Sequence, residues 1–297
     1  MRWLELATRV DSEAVEAVSE VFSRVVPGGV AIEPEGQPGA DDGFVAGDHA
    51  VVRGYLPLDE HAAAKTRTLE ESLWHLRAIW PVGELETREV AEEDWANAWK
   101  QHYTTFRIGR RLVIHPVWRE YAAESDDVVV SLDPGAAFGT GLHPTTRRCL
   151  ELLEAIVQRG DHVFDVGTGS GILAIAAAQL GADRVLAVDV DALAVRAASA
   201  NVALNDLADQ ITVAEGSADS PLAEAAYPVV IANIIARVIL ALAPELVAKV
   251  RPGGTLVAAG IIADRVDEVI ATFERLGLQV DCYVDGDWRA LVGRRAE

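Results

Sequence analysis

A mostly parallel α/β sheet preceded by a smaller α+β domain is the architecture this sequence predicts, on three observations. From His162 onward, apolar runs of strand length alternate with helical patterns, the mark of βα units stacked around a parallel sheet. One junction in that series is glycine-rich: Phe164-Asp165-Val166-Gly167-Thr168-Gly169-Ser170-Gly171. The first ninety or so residues instead read strand, helix, strand, strand, helix, strand, the split-βαβ order of ferredoxin-like domains. A chain of 297 residues suits one α/β domain plus a smaller one. The expected division is a small domain at 1–91, a helical linker at 92–107 and the α/β domain at 108–297.

In the small domain, Trp3 to Ala7 reads as a strand. Asp11 and Ser12 are candidate caps for a helix with Val15, Val18, Phe22 and Val25 at helical spacing. Val30 to Glu33 is a short strand, Pro34 to Gly47 a polar Pro/Gly-rich loop, and Ala50 to Leu56 a strand. Ala62 to Trp80 reads as a long helix with Leu69, Leu73, Leu76 and Trp80 on one face, followed by a strand over Glu84 to Val90. His49, His61 and His75 lack metal-ligand spacing. Trp95 and Trp99 share one face of the expected linker helix, Glu92 to Tyr103.

Two strands, Arg111 to His115 and Asp127 to Leu132, precede the α/β series as a β extension. A helix begins near Pro144, where proline suits an early helical position. Strands follow at His162 to Val166, Arg184 to Asp189, Gln210 to Ala214, Val229 to Ala232 and Gly254 to Ala259. Helices intervene from Gly171, at Ala192 to Asn205, Ala236 to Val250 and Asp264 to Leu276. Leu278 to Val284 and Trp288 to Val292 close the chain as a hairpin.

Composition narrows the function. The formal charge is −20, with Lys65, Lys100 and Lys249 the only lysines. So acidic a chain is poorly suited to direct DNA binding or to anionic membranes, and its charge serves either a basic protein partner or plain solubility and salt adaptation. Cys149 and Cys282 fall in apolar patterns and are expected to be buried free thiols; two cysteines make neither a disulfide framework nor a zinc cluster. Glu5, Arg9 and Asp11 interrupt any signal-peptide pattern near Met1, and Asn233 and Arg237 interrupt the longest apolar run, Val229 to Ala243. A soluble, cytoplasmic, monomeric protein is expected.

The glycine turn carries the chemistry. Glycines let backbone approach a ligand closely, and a helix N-terminus offers unpaired N–H groups. A dinucleotide fingerprint would place its third glycine at 172, which is isoleucine; the last glycine comes one residue early, at Gly171. The second acid, Asp189, ends the next apolar run, where a carboxylate can accept both ribose hydroxyls. Asn233 ends another apolar strand and is either a site residue or a cap for the helix after it. Between Asp133 and Thr146 lies a second unusual stretch, in which Gly139 and Gly141 bracket Thr140, and Phe138 supplies an aromatic face. Thr145 and Thr146 place hydroxyls at a helix start, and His143 precedes them.

The Asp-x-Gly-x-Gly-x-Gly turn resembles motif I of S-adenosylmethionine-dependent methyltransferases. Asp133-Pro-Gly-x-x-Phe-Gly-Thr-Gly-x-His-Pro-Thr-Thr146, Asp189-Val190-Asp191 and Ala232-Asn233-Ile234 resemble the PrmA family, methyltransferases of ribosomal protein L11. The resemblance covers most of the chain. It implies a seven-stranded, Rossmann-like class I methyltransferase sheet after a ferredoxin-like recognition domain, with S-adenosylmethionine as cofactor. It also implies cofactor contacts at Thr146, Gly167, Gly169, Asp189 and Asn233, a segment of Phe138, Gly139, Thr140 and Gly141 over the cofactor and target amine, and Asn233 as the catalytic group. The implied substrates are lysine and α-amino groups of ribosomal protein L11, a basic protein. A lysine of another protein, such as an electron-transfer flavoprotein subunit, is the alternative. A non-catalytic cofactor-binding module would have lost a cofactor residue, and none is lost.

Overall fold

The computed structural model describes residues 2–11, 14–26, 30–38, 44–78, 80–91, 104–133, 141–223 and 226–297. The chain forms two compact units, Met1–Tyr103 and Thr104–Glu297.

The first unit contains β1 (Arg2–Asp11), α1 (Val15–Val25), β2 (Val30–Pro38), β3 (Phe44–Pro57), α2 (Ala62–Leu76) and β4 (Glu86–Ala91). Its antiparallel sheet has the order β2-β3-β1-β4. Leu6, Val10, Val52 and Leu56 from the sheet meet Val18, Phe22 and Val26 beside α1 and Leu69 and Leu73 from α2. The sequence order of elements is therefore as expected, but several boundaries differ, and β1 runs on to Asp11 rather than ending at Ala7. Asp11 does not cap α1: it lies in β1 opposite His49, and the cap position is Ala14, which makes no side-chain bond. Much of the expected loop at 34–47 is strand, since β2 runs to Pro38 and β3 starts at Phe44. Its prolines are tolerated because β2 is an edge strand, and a register shift at Glu35/Gly36 absorbs the glycine. Finally, α2 stops at Leu76 rather than Trp80. Pro81 disfavours helix at the preceding residue, and the Arg77 guanidinium turns to the carbonyls of Val82 and Gly83, 2.6–3.2 Å away. The expected linker helix at 92–103 lies outside the described residues.

The second unit opens with a small sheet of β5 (Phe106–Ile108), β6 (Leu112–Pro116) and β7 (Val128–Leu132), with β6 in the middle. Strand β5 was not anticipated; at three residues it is too short to show a period. Then come α3 (Pro144–Ile156), β8 (His162–Val166), α4 (Ile172–Gln179), β9 (Arg184–Asp189), α5 (Ala192–Leu204), β10 (Ile211–Glu215) and β11 (Tyr227–Asn233). The chain continues through α6 (Ala236–Ala248), β12 (Val250–Ile262), a short 3₁₀ turn, α7 (Val266–Arg275), β13 (Leu278–Asp285) and β14 (Trp288–Arg295). The large sheet has the order β10-β9-β8-β11-β12-β14-β13. Strands β8 to β12 run parallel to their neighbours, while β14 is antiparallel to both β12 and β13.

Helix α4 is buried from Ile172 to Ala178. It is apolar on every side because protein surrounds it. Phe164, Val230, Leu246, Leu256 and Phe273 belong to the core on which the large sheet is built. Cys149 of α3 is buried, but Cys282 is exposed on the edge strand β13, contrary to the sequence expectation. No helix among the described residues is long and apolar enough to cross a membrane.

What matters for function is where the chain reverses its direction of sheet growth. From β8 it adds β9 and β10 on one side, then crosses back to place β11 and β12 on the other. The switch point lies between β8 and β11, and ligands of open parallel sheets bind at the carboxyl ends of strands at that point.

Candidate cofactor and active site

Gly167, Gly169 and Gly171 all adopt the left-handed region, with φ of 78°, 56° and 84°. This winds the turn from β8 into α4 so tightly that the Gly167 and Thr168 N–H groups both donate to the Val188 carbonyl, at 2.9 and 3.0 Å. A side chain at Gly167 would run into Ile234, and one at Gly171 would come within 3.2 Å of the Ala198 backbone in α5. The glycines therefore answer to packing as well as to dihedral angle.

Asp189, at the end of β9, is held by the same turn. Its Oδ2 accepts the Gly169 N–H at 2.9 Å and its Oδ1 accepts the Asp191 N–H at 3.0 Å. Two fixed donors orient the carboxylate and leave each oxygen a further lone pair for an incoming hydroxyl. Val190 next to it is three-quarters exposed. It offers an apolar surface beside the Asp189 carboxylate.

Asn233 ends β11, the strand next to β8. The cap reading does not hold: Ile235 occupies the cap position of α6 and no side chain caps it. Instead, Asn233 Nδ2 donates to the Thr146 hydroxyl at 3.3 Å, joining residues 87 positions apart. Thr146 is buried, while Asn233 is half-buried. His143 caps α3, with Nδ1 accepting the Thr145 N–H at 3.3 Å and lying 2.8 Å from the Thr145 hydroxyl. Its ring meets Trp288 edge to face with centroids 4.8 Å apart. Burial pushes the His143 pKa down, so the imidazole is a neutral cap with Nδ1 already engaged.

The structure thus gathers Gly167, Gly169, Asp189, Asn233 and Thr146 at the carboxyl ends of β8, β9 and β11. Phe138, Gly139 and Thr140 lie outside the described residues. Gly141 is buried with φ 82°, and a Cβ there would crowd Ile172 of α4 and Phe106 of β5.

Three residues near the turn have no role assigned by the sequence, although Asp165 stands in the glycine motif. Asp165 is fully buried beneath the glycine turn and accepts from the Thr168 hydroxyl at 2.6 Å. Burial raises its pKa to about 7; the Thr168 bond works against that rise, the Asp189 charge adds to it, and the nearby Ala174 N–H opposes it. Its Oδ1 nonetheless makes no well-formed hydrogen bond. The signal was an acid inside an apolar strand. Asn201 in α5 and Asn205 at its C-terminal cap are the others, and two amides four apart at the end of an alanine-rich helix were the available sign.

A glycine turn after β8, an acid at the end of β9 held by that turn and an antiparallel β14 wedged between β12 and β13 define a class I methyltransferase, whose methyl donor is S-adenosylmethionine. Known proteins narrow the class. The chain matches the family described as ribosomal protein L11 methyltransferase (PrmA) over residues 2–296. It is 47% identical over 323 aligned residues to the ribosomal protein L11 methyltransferase of Chloroflexus aurantiacus, spanning 99% of this chain and 98% of that one. The corresponding protein of Herpetosiphon aurantiacus is 46% identical over 319 aligned residues, spanning 99% of both. A crystal structure of ribosomal protein L11 methylase from Lactobacillus delbrueckii subsp. bulgaricus is similar, with a TM-score of 0.61 at 33% identity, covering 66% of this chain and all of that one. The chain belongs to the ribosomal protein L11 methyltransferase (PrmA) family.

Proposed function

We propose that this chain methylates amines of ribosomal protein L11, both lysine side chains and the α-amino group, with Asn233 as the catalytic residue. The observation that carries the reading is the Asn233–Thr146 pair, set at a strand end next to the glycine turn. Relatives aligned over nearly their whole length bear the ribosomal name, and no observation favours an electron-transfer flavoprotein instead.

The residues fit the cofactor. The glycine turn is wound through three left-handed positions that suit glycine, and Asp189 is already oriented with lone pairs to spare. Gly167 and Gly169 would line the cofactor, Asp189 would take the ribose hydroxyls, and Thr146 would touch it together with Asn233. Phe138, Gly139 and Thr140 complete the proposed set on the resemblance of their motif. When bound, S-adenosylmethionine supplies an electrophilic methyl group on a sulfonium.

The protein must present a neutral amine in line with that methyl group. Positioning of this kind is worth several powers of ten in rate. With its nitrogen committed to Thr146, Asn233 has its amide oxygen left to accept a substrate N–H. A lysine ammonium loses its proton to water on entering a dry site, since desolvation favours the neutral form. His143 is not the base, because its Nδ1 faces the Thr145 N–H. Residues 1–91 would form the recognition domain and the stretch from 92 a helical linker that ends before β5 at Phe106, shorter than the 92–107 expected from sequence, in a monomeric cytoplasmic enzyme.

The test uses labelled S-adenosylmethionine with ribosomal proteins from cells lacking the enzyme. Label should enter ribosomal protein L11, and Asn233→Ala should lower kcat by about a hundredfold while circular dichroism stays native. Near-wild-type turnover of that variant would remove Asn233 from the mechanism. Label in another protein would overturn the substrate and leave the chemistry.

A further inference from the structure

Helix α5 carries a fully buried amide whose two hydrogen bonds run to two different parts of the site. Asn201 Nδ2 donates to the Ser170 carbonyl at 2.8 Å, and its Oδ1 accepts the Asp133 N–H at 2.9 Å. Ser170 belongs to the glycine turn. Asp133 is the residue at which the chain leaves β7 toward Thr146. One turn further on, Asn205 exchanges both hydrogen bonds with the Ser131 backbone, at 2.9 and 2.7 Å. Asn205 fastens α5 to β7 alone, whereas Asn201 spans from β7 to the cofactor turn. Ala198, three residues before Asn201, is the point where Gly171 packs against α5. The helix is thus the platform of the turn, and Asn201 is its only described side-chain link that also grips the chain leading to Thr146.

A merely space-filling residue in that place would be apolar, since burying an amide is unfavourable unless every polar atom is satisfied. Both ends of this amide are satisfied, one by the backbone of the glycine turn and the other by the backbone just past β7. We infer that Asn201 is a positioning residue for methyl transfer. It fixes the glycine turn and the root of the Asp133–Thr146 segment as one unit, so cofactor affinity and turnover depend on a side chain that touches no ligand. The inference rests on the cofactor reading above.

The experiment compares Asn201→Asp, Asn201→Ala and Asn205→Ala with wild type in the full chain. Asn201→Asp keeps the shape and the acceptor for Asp133, and replaces the donor to Ser170 by an oxygen. The readouts are the Kd of S-adenosylhomocysteine by calorimetry, kcat and KM, and Tm. Both Asn201 variants should bind S-adenosylhomocysteine about tenfold or more weakly, the loss of one to two buried hydrogen bonds, and lose kcat at temperatures where they are folded. Asn205→Ala should lower Tm while keeping Kd within about twofold of wild type. Where Asn201→Ala does not fold, Asn201→Asp decides. Asn201 variants with wild-type Kd and kcat and only a lower Tm would overturn the inference, as would an equal loss of affinity in Asn205→Ala. Wild type that fails to bind S-adenosylhomocysteine would instead overturn the cofactor reading.

Discussion

At Gly167 two constraints meet. An L-residue there must hold φ at 78°, at about 1–2 kcal/mol, and must also displace the Ile234 side chain. Ile234 follows Asn233, so the disturbance passes straight to the proposed amine acceptor. Gly167→Ala is expected to weaken S-adenosylhomocysteine binding by about tenfold or more in calorimetry and to lower kcat as well. An unchanged Kd would show that the turn has slack. Asp189→Asn keeps the shape but gives up the charged acceptor, so its Kd should rise about ten- to a hundredfold. Asp165 makes a different prediction. Folded, it keeps its proton up to about pH 7; unfolded, it loses it near pH 4. Its contribution to stability is thus fully present below about pH 4 and lost as pH rises through about 7. Asp165→Asn does not titrate, so it should gain roughly 2–3 kcal/mol on wild type between about pH 5 and pH 8 in urea unfolding. Parallel curves for the two proteins would mean that the carboxyl is charged throughout.

Elements differ in how clearly the sequence announces them, and the difference has physical causes. Strands β8 and β9 match to the residue because each ends in chemistry that sequence makes visible, a glycine turn in one case and an acid in the other. Strands β2 and β3 were read too short because prolines and glycines usually mark loops, while an edge position and a bulge let these continue in register. Helix α2 was read one turn too long because Trp80 keeps the apolar spacing and still packs on the core after the helix has ended. The two cysteines show the same limit. Both sit in apolar patterns, yet one is on the buried face of α3 and the other on an edge strand. A thiol reagent should therefore modify Cys282 in the native protein and reach Cys149 only after unfolding. Equal rates in native buffer would contradict this placement.

At the scale of the whole chain, charge and topology matter most. A formal charge of −20 favours encounter with a basic protein and leaves little attraction for nucleic acid. The Debye length falls from about 10 Å at 0.1 M salt to about 3 Å at 1 M. The kcat/KM for ribosomal protein L11 should accordingly drop as salt rises, while the Kd of S-adenosylhomocysteine, read in the same buffers, changes far less. The site itself was only partly legible. Gly167, Asp189 and Asn233 stand out as candidates because each lies at the end of an apolar strand. The Thr146–Asn233 bond could not, because only the crossing back at the β8–β11 switch point brings those residues together.

The position of β14 bears on how the chain is made. Strand β13 is synthesised before β14, yet it reaches the sheet only through β14. Until Trp288–Arg295 has left the ribosome, β12 therefore presents an open edge, with Leu256, Val257 and Ala258 still waiting for their antiparallel partners. Open edges of this kind recruit other chains. The nascent protein thus carries this open edge through the interval between completing β12 and releasing β14.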